Sequence, residues 1–312
     1  MKIALLDAQT LGKDADLSIF YKLGEFNVYQ TTQDDEKFER VKDADIVITN
    51  KVIFDRELLG KLPNLKLIAL TATGMNNVDL QAAKEFGVIV KNVEGYSTRS
   101  VAQHTFALAL SLVGRLGFYE QYVKSGEWQK SEIFTNLDKP FFELYGKRWG
   151  IIGLGAIGRQ TAKIARAFGM KVAYYSTSGV QREEKYPALL LKELLKISDI
   201  ISIHAPLNEN TKNLISEQEL DLMKQDAIII NVGRGGIVNE KDLKDAIENK
   251  KIYAASDVLE VEPMQKDSYL ANLKQKERYI ITPHVAWGSV EARKRLIKAV
   301  YKNIKIFIKE GR

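Results

Sequence analysis

The sequence has no cysteine among its 312 residues, which excludes a disulfide framework and any thiolate metal site and fits a reducing, cytoplasmic setting. No apolar stretch approaches the roughly 18 residues that a membrane span requires. The opening MKIALLDAQT reads as a β-strand and carries no signal-peptide cleavage site. No run of five like charges occurs either, so the net charge of +6 is spread among acids, as in DDEKFER and KSGEWQK. This is the pattern of a lysine-rich solvated surface and not of a nucleic-acid-binding patch. Internal repeats and low-complexity segments are also missing, which excludes a solenoid. A length of 312 residues gives an expectation of two domains, each large enough for its own core.

What is present is an alternation of apolar runs with amphipathic helical segments, the signature of βα units and parallel sheets. In the first hundred residues the strands are KIALLDA, FNVYQT, ADIVITN, LKLIALTAT and GVIVKN, five in number, as in a flavodoxin-like layer. From about residue 148 a second series begins with RWGIIGLG, KVAYYS, DIISIHA, AIIINVG, IYAASDV and YIITPH, the six strands of a full dinucleotide-binding domain. Between the series, SVAQHTFALALSLVGRL reads as a buried helix joining the domains, followed by a polar, flexible YVKSGEWQK. The segment SVEARKRLIKAVYKNIKIFIKEGR is amphipathic and packs back as a helix. The expected fold class is thus α/β, with two doubly wound parallel sheets.

Proline is scarce, and its placement is informative. Three of the six prolines, Pro206, Pro263 and Pro283, fall at or just past strand ends, where they stop ladder pairing and fix the next loop. Such loops are where open α/β sheets bind ligands.

Gly153, Gly155 and Gly158 form GxGxxG between a strand and the helix GRQTAKIARAFGM. The first permits the tight turn, the second lets backbone approach a pyrophosphate, and the third lets the helix pack closely, while the helix start supplies amide donors. About twenty residues on, an acid should meet the ribose hydroxyls, yet Ser176 stands there. A serine can bond a free hydroxyl and does not repel a 2′-phosphate. The nearest arginine, Arg182, is six residues further. The residues therefore point to a nicotinamide dinucleotide and leave NAD against NADP open.

Three further motifs each follow a β-branched run: NVGRGGIV with Arg234, LEVEP with Glu262 and ITPHVAW with His284. A histidine titrates near neutrality and can pass a proton to or from a substrate oxygen. A carboxylate on its other ring nitrogen fixes the tautomer. An arginine offers a planar fork to a substrate carboxylate and the adjacent carbonyl. Each alone is ordinary: a surface arginine, a solvated turn, a structural histidine. Together, beside a dinucleotide loop, they describe a hydride-transfer site for a 2-oxo acid that needs no metal.

Over essentially the whole chain these motifs resemble the D-isomer-specific 2-hydroxyacid dehydrogenases. GLGAIGRQTAKIARAFGMKV is similar to the family's cofactor motif, NVGRGGIVNEKDL to its arginine motif, DVLEVEP to its glutamate motif and TPHVAW to its histidine motif. The resemblance implies a flavodoxin-like substrate domain from residues 1–99 plus 288–312, a Rossmann cofactor domain from 100–287, and commonly a homodimer formed through the latter. It implies that Arg234 binds substrate, Glu262 supports the acid/base and His284 is that acid/base. It also implies that backbone amides of Thr73, Gly74 and Met75 hold the substrate carboxylate.

Cofactor contacts are implied at Gly153, Gly155, Ala156, Ile157, Gly158, Ser176, His204, Ala205, Pro206, Thr211, Val232, Gly233, Arg234 and Asp257. His204 would shape the cradle, and Asp257 would meet the nicotinamide amide. His104 reads as a satisfied core histidine. LDAQTLG, GYSTRSVAQHTFAL and Trp287 are most similar to the glycerate dehydrogenases, or hydroxypyruvate reductases, with Trp287 closing a small pocket. Glyoxylate or another short 2-oxo acid is the alternative substrate. Because relatives also include the C-terminal-binding corepressors, a dinucleotide-sensing interaction protein is the alternative of a different class. Cleft closure about residues 97–101 and 287–290 is expected to exclude water during catalysis.

Overall fold

The computed structural model describes residues 1–180, 185–249 and 251–311. The chain separates into two compact units, Met1–Ser97 with Gly288–Arg312, and Thr98–Trp287.

The first unit is built on strands β1 (Lys2–Leu5), β2 (Glu25–Val28), β3 (Ile46–Thr49), β4 (Leu67–Leu70) and β5 (Ile89–Lys91). They pair in parallel in the order β2-β1-β3-β4-β5, which is the flavodoxin-like order. Every residue of β3 and β4 is buried, as expected of inner strands of a parallel sheet covered on both faces. The helices α1 (Lys37–Val41), α2 (Arg56–Gly60) and α3 (Leu80–Glu85) are short. Asp55 and Asp79 cap the last two by accepting the amides of Leu58 and Ala82, each at 2.8 Å. The helix Val290–Lys309 joins this unit, burying Leu296, Val300, Ile304 and Phe307 and packing on β4. Arg293 on its first turn forks onto Asp14 at 2.6 and 2.9 Å, and Arg295 donates to the carbonyl of Tyr96 at 2.9 Å.

The second unit opens with α4 (Thr98–Val113) and α5 (Leu116–Lys124) and then forms β6 (Arg148–Ile152), α6 (Ala156–Ala167), β7 (Lys171–Tyr175), α7 (Leu191–Ile197) and β8 (Ile200–Ile203). It continues through α8 (Glu217–Asp221), β9 (Ile228–Asn231), α9 (Glu240–Glu248), β10 (Tyr253–Ser256) and β11 (Tyr279–Ile281). The six strands are parallel in the order β11-β10-β9-β8-β6-β7. The chain starts in the interior at β6, steps outward to β7 and returns to β8 on the other side of β6. The reversal leaves a crevice at the carboxyl ends of β6 and β8, the position at which doubly wound sheets bind ligands. One face of the sheet is covered by α4 and α6, through Phe106, Leu112 and Ala162 against Trp149, Tyr174 and Ile230. The other is covered by residues of α7, α8 and α9, including Leu194, Leu220 and Ile247.

The expected helix through Leu116 and the expected flexible YVKSGEWQK both need correction. The first helix ends at Val113, because Arg115 adopts a left-handed φ of 53° and returns a guanidinium hydrogen bond to the Leu112 carbonyl. A second helix then runs to Lys124, with a 3-10 turn at Trp128–Lys130. Its order comes from an aromatic set that polar composition hides: Phe118 meets Tyr119 edge-on at 5.2 Å, and Tyr119 meets Phe141 at 6.5 Å.

Candidate active site

The glycine loop follows β6 at the crevice. Gly153 has a φ of 90°, and a Cβ there would lie 2.9 Å from the amide nitrogen of Ala205, so only glycine lets this loop and the one after β8 approach. Over Gly155 a Cβ would meet nothing within 4 Å. The amides of Leu154 and Gly155 donate to no acceptor among the described residues, and Ala156 and Ile157 form the first turn of α6. Open space above free amides at a helix start is the cradle a pyrophosphate needs.

The loop after β8 contributes His204, Ala205 and Pro206. Trp149 Nε1 donates to Ser202 Oγ at 2.8 Å, and that hydroxyl lies 2.9 Å from His204 Nε2. Although His204 keeps an exposed edge, Nδ1 is sealed from solvent and has no hydrogen-bond partner among the described residues. Burial pushes its pKa down to about 3, so the ring is neutral across the working pH range. It is a shaping residue and not a proton carrier. Thr211 requires a correction: expected at the cofactor, its hydroxyl is buried, donating to the Pro206 carbonyl at 2.7 Å and accepting the Asn208 amide at 2.8 Å. It braces this loop. Ser176, past β7, donates to the Val180 carbonyl at 2.7 Å and lies 3.4 Å from the Ser178 hydroxyl, so one lone pair of its oxygen is left to accept a further hydrogen bond. Arg182 lies outside the described residues.

Arg234, Glu262 and His284 follow β9, β10 and β11, three neighbouring strands. His284 Nδ1 and Glu262 Oε2 are 2.7 Å apart, with both side chains roughly a third exposed, at 28% and 31%. The carboxylate can only accept, so Nδ1 carries the proton and Nε2 is the ring nitrogen left for chemistry. Glu262 is itself fixed, because its Oε1 accepts the Leu259 amide at 3.0 Å. The Arg234 loop packs hard against the same stretch: a Cβ on Gly235 would overlap the carbonyl of Leu259 and the amide of Glu260. Val232 and Gly233 are buried beneath it. Arg234 is half-buried, with Nη1 donating to the Gly233 carbonyl at 2.8 Å.

Two residues that sequence reasoning did not name, or named for another part, hold these loops. Asn231, at the end of β9, accepts the Gly233 amide at 3.1 Å and donates to the Arg234 carbonyl at 2.9 Å, clamping the arginine loop. Its only sequence signal is a polar residue ending the run AIIIN. Asp257, buried at the end of β10, accepts the amides of Val285 and Ala286 at 2.9 and 2.8 Å and the Thr282 hydroxyl at 2.5 Å. Asp257 thus spends most of its acceptor capacity on the turn that carries His284. That turn needs anchoring, because His284 sits in the left-handed region with φ 53°, uncommon for a residue with a side chain. Its own amide reaches the carbonyls of Asp257 and Thr282, both at 2.9 Å. His104, expected as a satisfied core histidine, is satisfied, with its Nε2 2.9 Å from Thr282 Oγ1, but it is part-buried, its side chain 22% exposed.

Burial, then the neighbouring carboxylates of Glu260 and Glu262, hold the Glu240 carboxyl above the ordinary value, opposed by the Glu260 amide it accepts. Trp287 is half-buried against the core of its own unit. Thr73, Gly74 and Met75 lie in the other unit, after β4. Their amides donate to no group among the described residues, while the Thr73 hydroxyl donates to the Val93 carbonyl at 2.9 Å.

The model of the family described as "D-isomer specific 2-hydroxyacid dehydrogenase, NAD binding domain" matches residues 106–286. The chain is 40% identical over 316 residues to the hydroxypyruvate reductase of Blautia hydrogenotrophica, covering 99% of this chain and 97% of that protein. It is 36% identical over 312 residues to the glycerate dehydrogenase of Methylorubrum extorquens, covering 98% and 96%. Among solved structures, D-lactate dehydrogenase from Aquifex aeolicus complexed with NAD and lactic acid matches with a TM-score of 0.86 and 31% identity, covering 99% of this chain and 96% of that one. The six-strand sheet with its glycine crevice, the histidine–glutamate pair and these full-length matches converge: the chain belongs to the D-isomer-specific 2-hydroxyacid dehydrogenases.

Proposed function

We propose that the protein interconverts hydroxypyruvate and D-glycerate, with glyoxylate as a second short substrate. The observation that carries the chemistry is the 2.7 Å pair of His284 Nδ1 and Glu262, which holds the Nδ1 proton and leaves Nε2 as the atom that exchanges a proton with substrate. The named relatives that act on hydroxypyruvate and glycerate at 36–40% identity favour this substrate pair.

A bound nicotinamide dinucleotide would supply the hydride to the carbonyl carbon. The chain's own residues do the rest. Arg234 holds the substrate carboxylate and carbonyl oxygen in its fork and stabilises negative charge as it grows on that oxygen. His284 passes its Nε2 proton to the oxygen, and in the oxidising direction takes it back from the alcohol. Glu262 keeps the ring in the tautomer that allows both. Thr73, Gly74 and Met75 are proposed, on the resemblance and their free amides, to bind the substrate carboxylate, and Trp287 to limit pocket size. Asp257 is proposed to reach the nicotinamide amide with what acceptor capacity its turn leaves. NAD is the proposed cofactor. Ser176 in place of an acid removes the usual repulsion of a 2′-phosphate, so NADPH is expected to work less well without being rejected.

A cytoplasmic homodimer is proposed in addition. The second unit exposes Phe134 at 89%, Tyr145 at 78% and Leu137 at 71%, a run of large apolar surface that a second copy of this unit would cover.

The test follows loss of NADH and, separately, NADPH absorbance with hydroxypyruvate, glyoxylate and pyruvate. Turnover of hydroxypyruvate at least about tenfold more efficient than of pyruvate is the expected result. Faster turnover of pyruvate, or none with hydroxypyruvate, would reject the substrate assignment.

A further inference from the structure

We propose that His104 and Thr282 are positioning residues for His284, acting on it through a directed hydrogen-bond chain that ends on Asp257. The proposal rests on the reading of His284 as the acid/base. The polarity of the chain follows from its end. The Asp257 carboxylate accepts only, so Thr282 Oγ1, 2.5 Å from Oδ1, must give it the hydroxyl proton. The Thr282 oxygen is then free to accept, and the atom facing it at 2.9 Å is His104 Nε2. His104 therefore carries its proton on Nε2 and stands 3.6 Å from the same carboxylate oxygen, close enough to add direct attraction. No other side chain among the described residues bonds the His104 ring, so the hydrogen bonding of this helix α4 residue is directed entirely at the end of β11.

What the chain holds is the main chain on both sides of His284. Asp257 Oδ1 is shared by the Thr282 hydroxyl and the Val285 amide, and Oδ2 takes the Ala286 amide. Thr282 thus lies two residues before His284, and Val285 and Ala286 directly after it, all tied to one buried carboxylate. A left-handed histidine persists only where its surroundings over-determine it. A histidine serving the core alone would have no need of this geometry, and a hydrophobe could replace it. In the chain, its N–H fixes which way the Thr282 hydroxyl points and hence where the carboxylate sits. Loss of that donor lets the hydroxyl turn, the carboxylate shift and Nε2 of His284 drift from the substrate oxygen. Such a displacement is costly for proton transfer even when it is small.

The test compares H104L, H104Q, T282V and T282S in the full chain, with H284A in parallel, using NADH and whichever of hydroxypyruvate or glyoxylate the native protein turns over. Gln offers an N–H near the position of Nε2, and Ser keeps the hydroxyl. H104L and T282V should each lower kcat about tenfold. H104Q and T282S should recover most of the loss, and H104L/T282V should be little worse than either single variant, as for links in series. With only three histidines in the chain, the imidazole 15N signals of His284 can be assigned directly; they should shift or broaden in H104L and return in H104Q.

Folded H104L and T282V with kcat near native, or an unmoved His284 signal, would overturn the chain while leaving the acid/base reading intact. H284A retaining turnover would overturn both. Should H104L fail to fold, T282V against T282S still decides, since the hydroxyl is the middle link.

Discussion

Two stretches of the second unit differ in how complete they are. In the loops after β9, β10 and β11, polar groups find partners within the chain: buried Asn231 clamps the Arg234 loop, part-exposed Glu262 joins an amide to His284, and buried Asp257 gathers the turn beyond Thr282. In the stretch 126–145, by contrast, large apolar side chains such as Ile133, Phe134 and Leu137 lie in the open. The first region is a finished device whose cost in buried polarity is offset internally. The second makes physical sense with an apolar partner. Chemistry should therefore fail when a single internal link is cut, and association should fail without touching chemistry.

The sharpest way to break this comparison is at the first region's working end. His284→Ala should lower kcat by about a thousandfold or more, with cofactor affinity and thermal stability near native. Glu262→Gln should cost about a hundredfold, because an amide that can donate toward Nδ1 no longer selects the tautomer. Steady-state kinetics beside a thermal melt separate these from misfolding. Near-native kcat in His284→Ala would remove the mechanism.

The contrast also explains what the sequence reveals. Ten of the eleven strands among the described residues lie within the runs read from it, and β2 begins one residue earlier, at Glu25, because parallel strands buried on both faces must be continuous apolar segments and leave little ambiguity. Arg234, Glu262 and His284 were visible because each follows such a run within a few residues, so strand order alone places them at neighbouring loop positions. The clamps were harder to see. Asn231 and Thr282 look like ordinary strand-end polar residues: no motif marks the bonds of Asn231 to the two residues just ahead of it in its loop, and the partners of Thr282 lie 25 and 178 residues away. His104 was read only in part, for the same reason: its periodicity says core, while the partner that satisfies it is 178 residues away. The order in α5 was missed because its aromatic contacts reach Phe141, across a stretch without periodic pattern.

A second test moves from the side chains to the backbone contact that brings two motifs together. Gly235→Ala would drive a Cβ into the Leu259 carbonyl, so the arginine loop and the glutamate loop must separate. A cost of about 2–4 kcal/mol in stability is expected, as for overpacking at rigid backbone, together with a raised KM for substrate as Arg234 moves. Chemical denaturation and KM measured on one preparation check both. An alanine variant with native stability would mean the loops can part freely, and the claim of a rigid site would fail.

The open region is tested by charge. Phe134→Asp combined with Leu137→Asp should weaken the proposed dimer by about 2 kcal/mol or more, visible in sedimentation as a monomer at micromolar concentration. Because both side chains are exposed within one chain, the monomer's own stability should change by no more than about 0.5 kcal/mol. A native protein that sediments as a monomer would reject the dimer outright. A variant that loses stability without changing mass would show that the stretch folds onto its own chain.

The smallest effect lies between the two regions in character, in a polar group that is internal yet incompletely satisfied. His204 is neutral in the fold, with its pKa pushed down from 6.5 to about 3 by burial. In the unfolded chain it titrates at the ordinary value. Between those two values the unfolded state binds more protons, so stability rises with pH in that window and falls as acid is added below about 6.5. At pH 5 the expected loss from this residue is about 2 kcal/mol relative to neutral pH. His204→Gln, which has no group to protonate, should flatten that part of the stability–pH curve while lowering stability at neutral pH through the bond to Ser202. If the native and variant curves run parallel from neutral pH down to 5, His204 is reached by protons in the folded state, and the sealing of its Nδ1 beside the glycine crevice would have to be abandoned.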